Sequence, residues 1–331
     1  MKILFLGLGS IGQRHLINVK KTFKNANIFA LRTTSHQNII KDTKLIKKTS
    51  LEDYYNIKKL NNYKTALKLR PDLTFICNPS SKHLVDAHNF SKIKSHLFIE
   101  KPLIGSHKTY KKLMHQVKKN KLITMIGYQT RFHPIIKYIE NVIKKNRDGK
   151  IIYAEFKNLS YLPKYHIYEN YKKSYASNKN LGGGVLLSQS HEIDLISHFF
   201  GLPIKTHNIS YNSGSIDIKA DDNFSSIMLF KRKNYQFNLS LRLSFTQFYS
   251  ERGFTICFEK KIYKVDLIKN ELKIISRKNK KIIKKIFKIN KNDLFLREIK
   301  LLKKSIKNKK NNFLSILANQ NTQKLYFKLK R

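Results

Sequence analysis

Apolar positions in the first third of the chain alternate between short continuous runs and stripes at helical spacing. Residues 2–7 (KILFLG) read as a buried strand, and residues 11–23 as a helix with Ile11, His15, Leu16 and Val19 on one face. Ile28–Leu31 form a second short strand. Residues 51–69 read as a single helix whose face carries Leu51, Tyr54, Tyr55, Leu60, Tyr63 and Leu67. The run LTFIC at 73–77 is a buried strand ended by Asn78-Pro79. Helix 81–91, strand 97–99, helix 106–119 and strand 122–126 follow. Such alternation implies parallel pairing through right-handed crossovers, a doubly wound α/β sheet.

After Gly127 the pattern changes. A helix at 134–146 leads to a strand at 151–158, a tyrosine-rich polar loop at 159–181 and a helix near 185–200. Strands then come in series at 224–230, 235–244, 253–258, 261–267 and 271–276, the signature of a largely antiparallel sheet. Basic amphipathic helices near 293–308 and 320–330 close the chain. The fold class is therefore α/β. An N-terminal Rossmann-type doubly wound parallel sheet spans 1–125, and an α+β domain with an open, largely antiparallel sheet spans 126–331.

Two domains suit 331 residues, and 41% hydrophobic content is enough for packed interiors. No run of about 18 uncharged apolar residues occurs, so no transmembrane segment is expected. The apolar stretch at the N-terminus is too short for a signal peptide and reads as the first strand, which places the protein in the cytoplasm. Cys77 and Cys257, far apart in the sequence, argue against a disulfide framework or a metal site. A net charge of +46 first suggests nucleic acid. However, 56 of the 67 basic residues are Lys and 11 are Arg, while base readers favour the Arg fork. The lysines alternate with apolar residues as on a solvated face. No nucleic-acid partner is expected.

Gly7, Gly9 and Gly12 stand in GLGSIG, directly after a strand and opening a helix. That context makes G-x-G-x-x-G a dinucleotide signature. The glycines permit a tight turn, close approach of a pyrophosphate and close strand–helix packing. The phosphates would sit on the exposed N–H groups of the helix start, at Ser10 and Ile11. The second strand decides the cofactor. An acid normally holds the ribose 2′-hydroxyl about 20 residues past the first glycines. Here the strand ends in Arg32-Thr33-Thr34-Ser35, with no acid before Asp42. Arg32, helped by Thr33, could pair with a 2′-phosphate, so NADP is expected, with NAD as the alternative.

Six ordered motifs carry a resemblance over nearly the whole chain. They are GLGSIGQRH (7–15), PDLTFICNPSSKH (71–83), EKP (100–102), GYQTRFHP (127–134), SYASNKNLGGGVLLSQSHEID (174–194) and LREIKLLKKSIKN (296–308). Together they resemble the Gfo/Idh/MocA family, the glucose–fructose oxidoreductase and inositol dehydrogenase relatives, and in particular members of bacterial surface-polysaccharide and nucleotide-sugar pathways. The resemblance implies hydride transfer between a nicotinamide and a carbon of a sugar or nucleotide sugar, by a homo-oligomer, a dimer or a tetramer. It adds Cys77, Asn78, Pro79, His83, Glu100, Lys101 and Arg131 to the cofactor site. Lys101 of EKP would stabilise developing charge on the reacting oxygen. His191, on the helix after the glycine run, would move the hydroxyl proton. Both are the expected catalytic residues, and both would also touch substrate.

Where family members often carry an Asp three or four positions before this histidine, the chain has Ser188 and Leu187. Asp194, at i+3 from His191, could orient it or could equally serve packing. Ser188, Tyr161 and Tyr175 are expected at the substrate, where phenol rings can stack on sugar faces. Tyr165, Tyr171 and Lys179 could add contacts, and Gly182–Gly184 would let the backbone approach the ligand. The missing carboxylate keeps a second reading open, that of a non-catalytic NAD(P)-binding scaffold or sensor.

Overall fold

The computed structural model describes residues 1–32, 39–41, 44–46, 50–165 and 169–330. The chain divides into two compact units. The first comprises Met1–Tyr128 with Asn180–Gly182 and Phe295–Asn319. The second comprises Gln129–Lys179, Gly183–Leu294 and Gln320–Arg331. A single cut near 125 does not capture this interleaving, because the segment Phe295–Asn319 packs with the N-terminal unit.

The first unit runs β1 (Lys2–Leu6), α1 (Ser10–Thr22), β2 (Asn27–Leu31), a small hairpin of β3 (Ile39–Lys41) and β4 (Lys44–Ile46), then α2 (Leu51–Tyr55), β5 (Lys58–Leu60) and α3 (Tyr63–Lys68). It continues with β6 (Leu73–Ile76), α4 (Ser80–Lys92), β7 (His96–Ile99), α5 (His107–Lys119) and β8 (Thr124–Ile126). Among the described residues the main sheet has the order β5-β2-β1-β6-β7-β8, all parallel. Its strands are apolar on both faces because helices cover both. Phe5, Phe75 and Phe98 stack across three neighbouring strands, with ring centroids 4.7 and 4.8 Å apart. Strand order reverses between β1 and β6, and a crevice of this kind is where doubly wound sheets bind ligands.

The helix expected over 51–69 is two helices separated by a strand. Asn56 adopts a left-handed φ of 46° that ends α2, and Asn62 caps α3 by accepting from the Thr65 N–H. Between them Lys58–Leu60 pairs with β2. The apolar residues Leu51, Tyr55, Leu60 and Ala66 recur through all three elements, so the spacing looked continuous.

The second unit opens with α6 (Pro134–Lys145) and β9 (Ile151–Tyr161), followed by short 3₁₀ turns. The helix expected near 185–200 breaks at Gln189 into α7 (Val185–Ser188) and α8 (Ser190–Phe200). Strands β10 (Lys205–Tyr211), β11 (Asn223–Arg232), β12 (Tyr235–Ser244), β13 (Thr246–Phe258), β14 (Lys261–Asp266), β15 (Glu271–Ser276) and β16 (Ile282–Ile286) follow. Helices α9 (Lys291–Lys307) and α10 (Gln320–Leu329) finish the chain. Among the described residues the sheet order is β10-β11-β12-β9-β13-β14-β15-β16, and only the β12–β9 pair is parallel. Edge strands β10 and β16 were not expected. β16 lies inside the lysine-rich run, where charge hides the alternation.

One face of this sheet is the core. Phe156, Met228, Leu241 and Ile256 pack with Ile139 of α6, Ile196 of α8 and Leu325 of α10. On the opposite face Ile209, Tyr211 and Ile227 are exposed. Among the described residues no helix is long and apolar enough to cross a membrane.

Candidate active site

The glycine turn joins β1 to α1 at the reversal point of the first sheet. Gly7 has φ +91°, and a Cβ there would lie 2.9 Å from the Asn78 backbone beyond β6. A Cβ on Gly12 would come within 2.5 Å of the Gly7 carbonyl oxygen. These two glycines let the strand, turn and helix pack. Gly9 differs, because a Cβ built on it meets nothing within 4 Å. It faces open space at the N-terminus of α1, where no side chain caps the helix. The first-turn N–H groups, those of Ser10 and Ile11 among them, therefore point at room for an anion. The residues present fit a dinucleotide pyrophosphate.

Two buried histidines tie this turn to the loops after β6 and β7. His15, on α1, places Nε2 2.6 Å from Glu100 Oε1, and Glu100 Oε2 accepts the Lys101 N–H at 3.1 Å. Burial alone would raise the Glu100 pKa. The hydrogen bond from His15 and the charges of His15, Lys101 and His83 outweigh it and hold the carboxyl below its usual range. His83 Nδ1 lies 3.0 Å from the Pro102 carbonyl oxygen, and its Nε2 lies 2.7 Å from that of Asn78. Burial pushes this imidazole down, against the pull of the two carbonyls. Asn78 is fixed again by Asp86, which accepts from Nδ2 at 2.6 Å. The Lys101–Pro102 bond is cis. The EKP turn is thus held from both ends, through Glu100 and through Pro102, and Lys101 projects half-buried from it. Cys77 is buried, and burial pushes its thiol well up, with Glu100 and Glu298 adding repulsion.

Sequence reasoning missed two residues here. Glu298 of α9 is fully buried, and among the described residues neither carboxyl oxygen has a hydrogen-bond partner. Burial, reinforced by Glu100, drives its pKa well above the usual range. It stands on the stripe of Phe295, Ile299 and Leu302, and an acid on an apolar stripe was the available signal. The other is Glu52, which grips Arg32 with two hydrogen bonds. Thr33, expected to assist Arg32, lies outside the described residues.

In the second unit His191 sits in the first turn of α8, 7% exposed. Its helix is pinned on both sides. Gln189 Nε2 donates to Ser160 Oγ and to the Ser244 carbonyl, each at 3.0 Å. Glu192 accepts from Arg252 Nε at 2.7 Å and from Asn158 Nδ2 at 3.1 Å. Asp194 accepts from Arg131 Nε at 2.7 Å, from Arg131 Nη2 at 2.5 Å and from the Thr322 hydroxyl. Of the two roles open to Asp194, the structure shows packing: its carboxylate is committed to Arg131. By the same bond Arg131, expected at the cofactor, is a 5% exposed structural partner of α8.

Ser188 is half-buried in the last turn of α7. Tyr161 meets Phe248 edge-on at 4.8 Å, and Tyr175 packs against the core. Tyr165 lies near the Ser160 and Gln189 side chains, while Lys179 is exposed. His133 caps α6 through Nδ1 and reaches Asn270 through Nε2, the pattern of a neutral tautomer, and burial lowers its pKa. The glycine run serves packing. A Cβ on Gly183 would collide with the carbonyls of Tyr175 and Ala176.

Residues 1–128 match the family model GFO_IDH_MocA, described as the oxidoreductase family with an NAD-binding Rossmann fold. Over these residues the chain is similar to the NAD-binding domain of that family. Among curated proteins, this one is similar to the uncharacterized oxidoreductase YrbE of Bacillus subtilis, with 25% identity over 148 residues, 44% of this chain and 40% of that protein. It is also similar to 2,7-anhydro-N-acetylneuraminate hydratase of Escherichia coli, with 25% identity over 130 residues, 39% of this chain and 34% of that protein. The matched stretches thus span less than half of either relative. Among solved structures the chain shares its fold with levoglucosan dehydrogenase in complex with NADH, at TM-score 0.83 and 12% identity, covering 100% of this chain and 96% of that one. UDP-N-acetylglucosamine 3-dehydrogenase GnnA of Acidithiobacillus ferrooxidans gives TM-score 0.75 and 17% identity over 100% and 96% of the two chains. The myo-inositol 2-dehydrogenase of Lactobacillus plantarum gives 0.75 and 16% over 99% and 95%. The matched model describes an NAD-binding Rossmann fold, the dinucleotide class that the GLGSIG turn fits.

Proposed function

We propose that the protein is an NAD(P)-dependent dehydrogenase or reductase acting on a CH–OH carbon of a sugar or nucleotide sugar, in the cytoplasm, in surface-polysaccharide biosynthesis. The observation that carries this reading is the glycine turn opening toward an anion at Gly9, with the EKP turn held beside it by His15, Glu100 and His83. The nicotinamide, when bound, supplies the hydride acceptor or donor. Lys101 hydrogen-bonds the reacting oxygen and offsets its developing negative charge. His191 takes the hydroxyl proton on oxidation and returns it on reduction. Tyr161, Tyr175 and Ser188 contact the sugar. The second unit serves substrate binding and assembly, and the exposed Ile209 and Ile227 support a homo-oligomer built on that sheet face.

The named neighbours support the substrate class, since a UDP-sugar, levoglucosan and myo-inositol are all polyols. The experiment is turnover of purified protein with NAD and NADP on a panel of free sugars, cyclitols and nucleotide sugars, read by nicotinamide absorbance. Turnover of at least one panel member is expected. A second reading, a cofactor-binding scaffold, is favoured by Ser188 standing where the family resemblance implies an acid and by Glu192 and Asp194 both being tied to arginines. Tight NADPH binding without turnover of any panel member would select it.

A further inference from the structure

At the tip of β2, the Arg32 Nε donates to Glu52 Oε1 at 2.8 Å and its Nη2 donates to Glu52 Oε2 at 3.1 Å. Both side chains are largely buried, 7% and 12% exposed. Glu52 comes from α2, whose start is capped by Ser50 accepting from the Asp53 N–H. Tyr55 of the same helix donates to Gln13 Oε1 at 3.2 Å, and Gln13 Nε2 donates to the Leu8 carbonyl at 3.0 Å. Helix α2 is therefore fastened to the glycine turn, and the reach of Glu52 is fixed by its backbone. In a nucleotide-binding doubly wound sheet, the end of the second strand reads the ribose 2′ position. An acid there holds a hydroxyl, and an arginine accommodates a phosphate. This chain has both, paired with each other.

We propose that Glu52 sets how strongly the protein distinguishes NADP from NAD, by competing with the 2′-phosphate for the Arg32 guanidinium. The inference rests on residues 1–128 forming the dinucleotide site. A bidentate carboxylate occupies the edge that a planar guanidinium presents to a phosphoryl group. A 2′-phosphate arriving at Arg32 has to displace a Glu52 oxygen or share the cation with it, and the two anions repel at short range with little water between them. A 2′-hydroxyl meets a neutralised pair and can donate to the carboxylate. Glu52→Gln removes the negative charge, keeps the side-chain shape and leaves an amide oxygen to accept from Arg32.

The test is a titration of NADH and NADPH, read by nicotinamide fluorescence, against wild type, Glu52→Gln, Glu52→Asp and the double variant Arg32→Gln/Glu52→Gln. Thermal unfolding checks each fold, with Glu52→Ala as a second charge-removing variant. Glu52→Gln is expected to tighten NADPH about tenfold and to change NADH less than about twofold, the scale of one hydrogen bond to a charged group. Glu52→Asp keeps the charge and stays near the wild-type ratio. The double variant loses the gain. An equal change for both cofactors, weaker NADPH binding, or a gain that survives loss of Arg32 overturns the proposal. Wild-type protein that binds neither cofactor removes the dinucleotide site itself, and this proposal with it.

Discussion

His15 Nε2 and Glu100 Oε1 lie 2.6 Å apart with both side chains buried. The second oxygen of the same carboxylate takes the Lys101 N–H, so a helix residue of the glycine motif sets the backbone of the EKP turn. Without His15, one oxygen of the buried Glu100 carboxylate loses its hydrogen-bond partner, which typically costs about 1–3 kcal/mol, more for a charged group. His15→Ala should lose stability on that scale in chemical denaturation. A loss below about 1 kcal/mol would mean that the pair does not hold the turn.

Gly9 and Gly12 should separate by role. Gly9 has extended backbone and open space at its Cβ position. Gly9→Ala should leave the unfolding midpoint within roughly 0.5 kcal/mol of wild type, as for surface changes. It should weaken NADPH by about tenfold or more, through a methyl group in the phosphate path. Gly12→Ala pushes a methyl group into the Gly7 carbonyl and should cost about 1–3 kcal/mol, as overpacking does. Paired unfolding and cofactor titrations decide both, and equal effects of the two changes would contradict the assignment.

Glu298 gives the fold a pH dependence of definite sign. Burial raises its pKa in the folded chain above that of the unfolded chain. The neutral acid therefore contributes its full stability below the ordinary carboxylate range. That stability declines as pH rises and is lost through the raised folded-state value. Glu298→Gln cannot ionise. Its unfolding temperature relative to wild type should climb between about pH 5 and pH 8, both above the usual Glu pKa. A difference that stays flat with pH would place the Glu298 carboxyl in contact with water or a cation.

Arg131 should behave as a structural residue. Arg131→Ala leaves Asp194 buried without its bidentate partner and should cost about 3–5 kcal/mol. In an Asp194→Asn background the same change should cost distinctly less, since the charge it would strand is gone. Denaturation of the four proteins of this cycle measures the coupling. Additive costs would free Arg131 for the role at the cofactor that its motif suggested.

The parallel sheet was legible in the sequence because buried strands such as LTFIC have no polar alternation and because GLGSIG fixes the strand–turn–helix junction. The antiparallel series was legible from period-two patterning at β11 through β15. Edge strand β16 was not, since every residue of IIKKI is exposed and its lysines read as a solvated face. Of the site, the residues within one motif were readable, and their partners were not. Arg32 and Glu52 are 20 positions apart, Glu100 and His15 are 85 apart, and Arg131 and Asp194 are 63 apart. No local spacing announces such pairs. That is why the sequence showed Arg32 without Glu52 and left the role of Asp194 open between orienting His191 and packing.

Under the proposed function, Lys101 and His191 perform chemistry rather than hold the fold or the cofactor. The most direct measurement is turnover of Lys101→Ala and His191→Ala on the panel substrate with the highest activity, alongside NADPH affinity of the same preparations. Turnover should fall by roughly 10²–10⁴-fold in each, the usual worth of a positioned acid–base group, with NADPH affinity within about threefold of wild type. Near-normal turnover in either variant, or loss of turnover that merely follows loss of NADPH binding, would contradict the account.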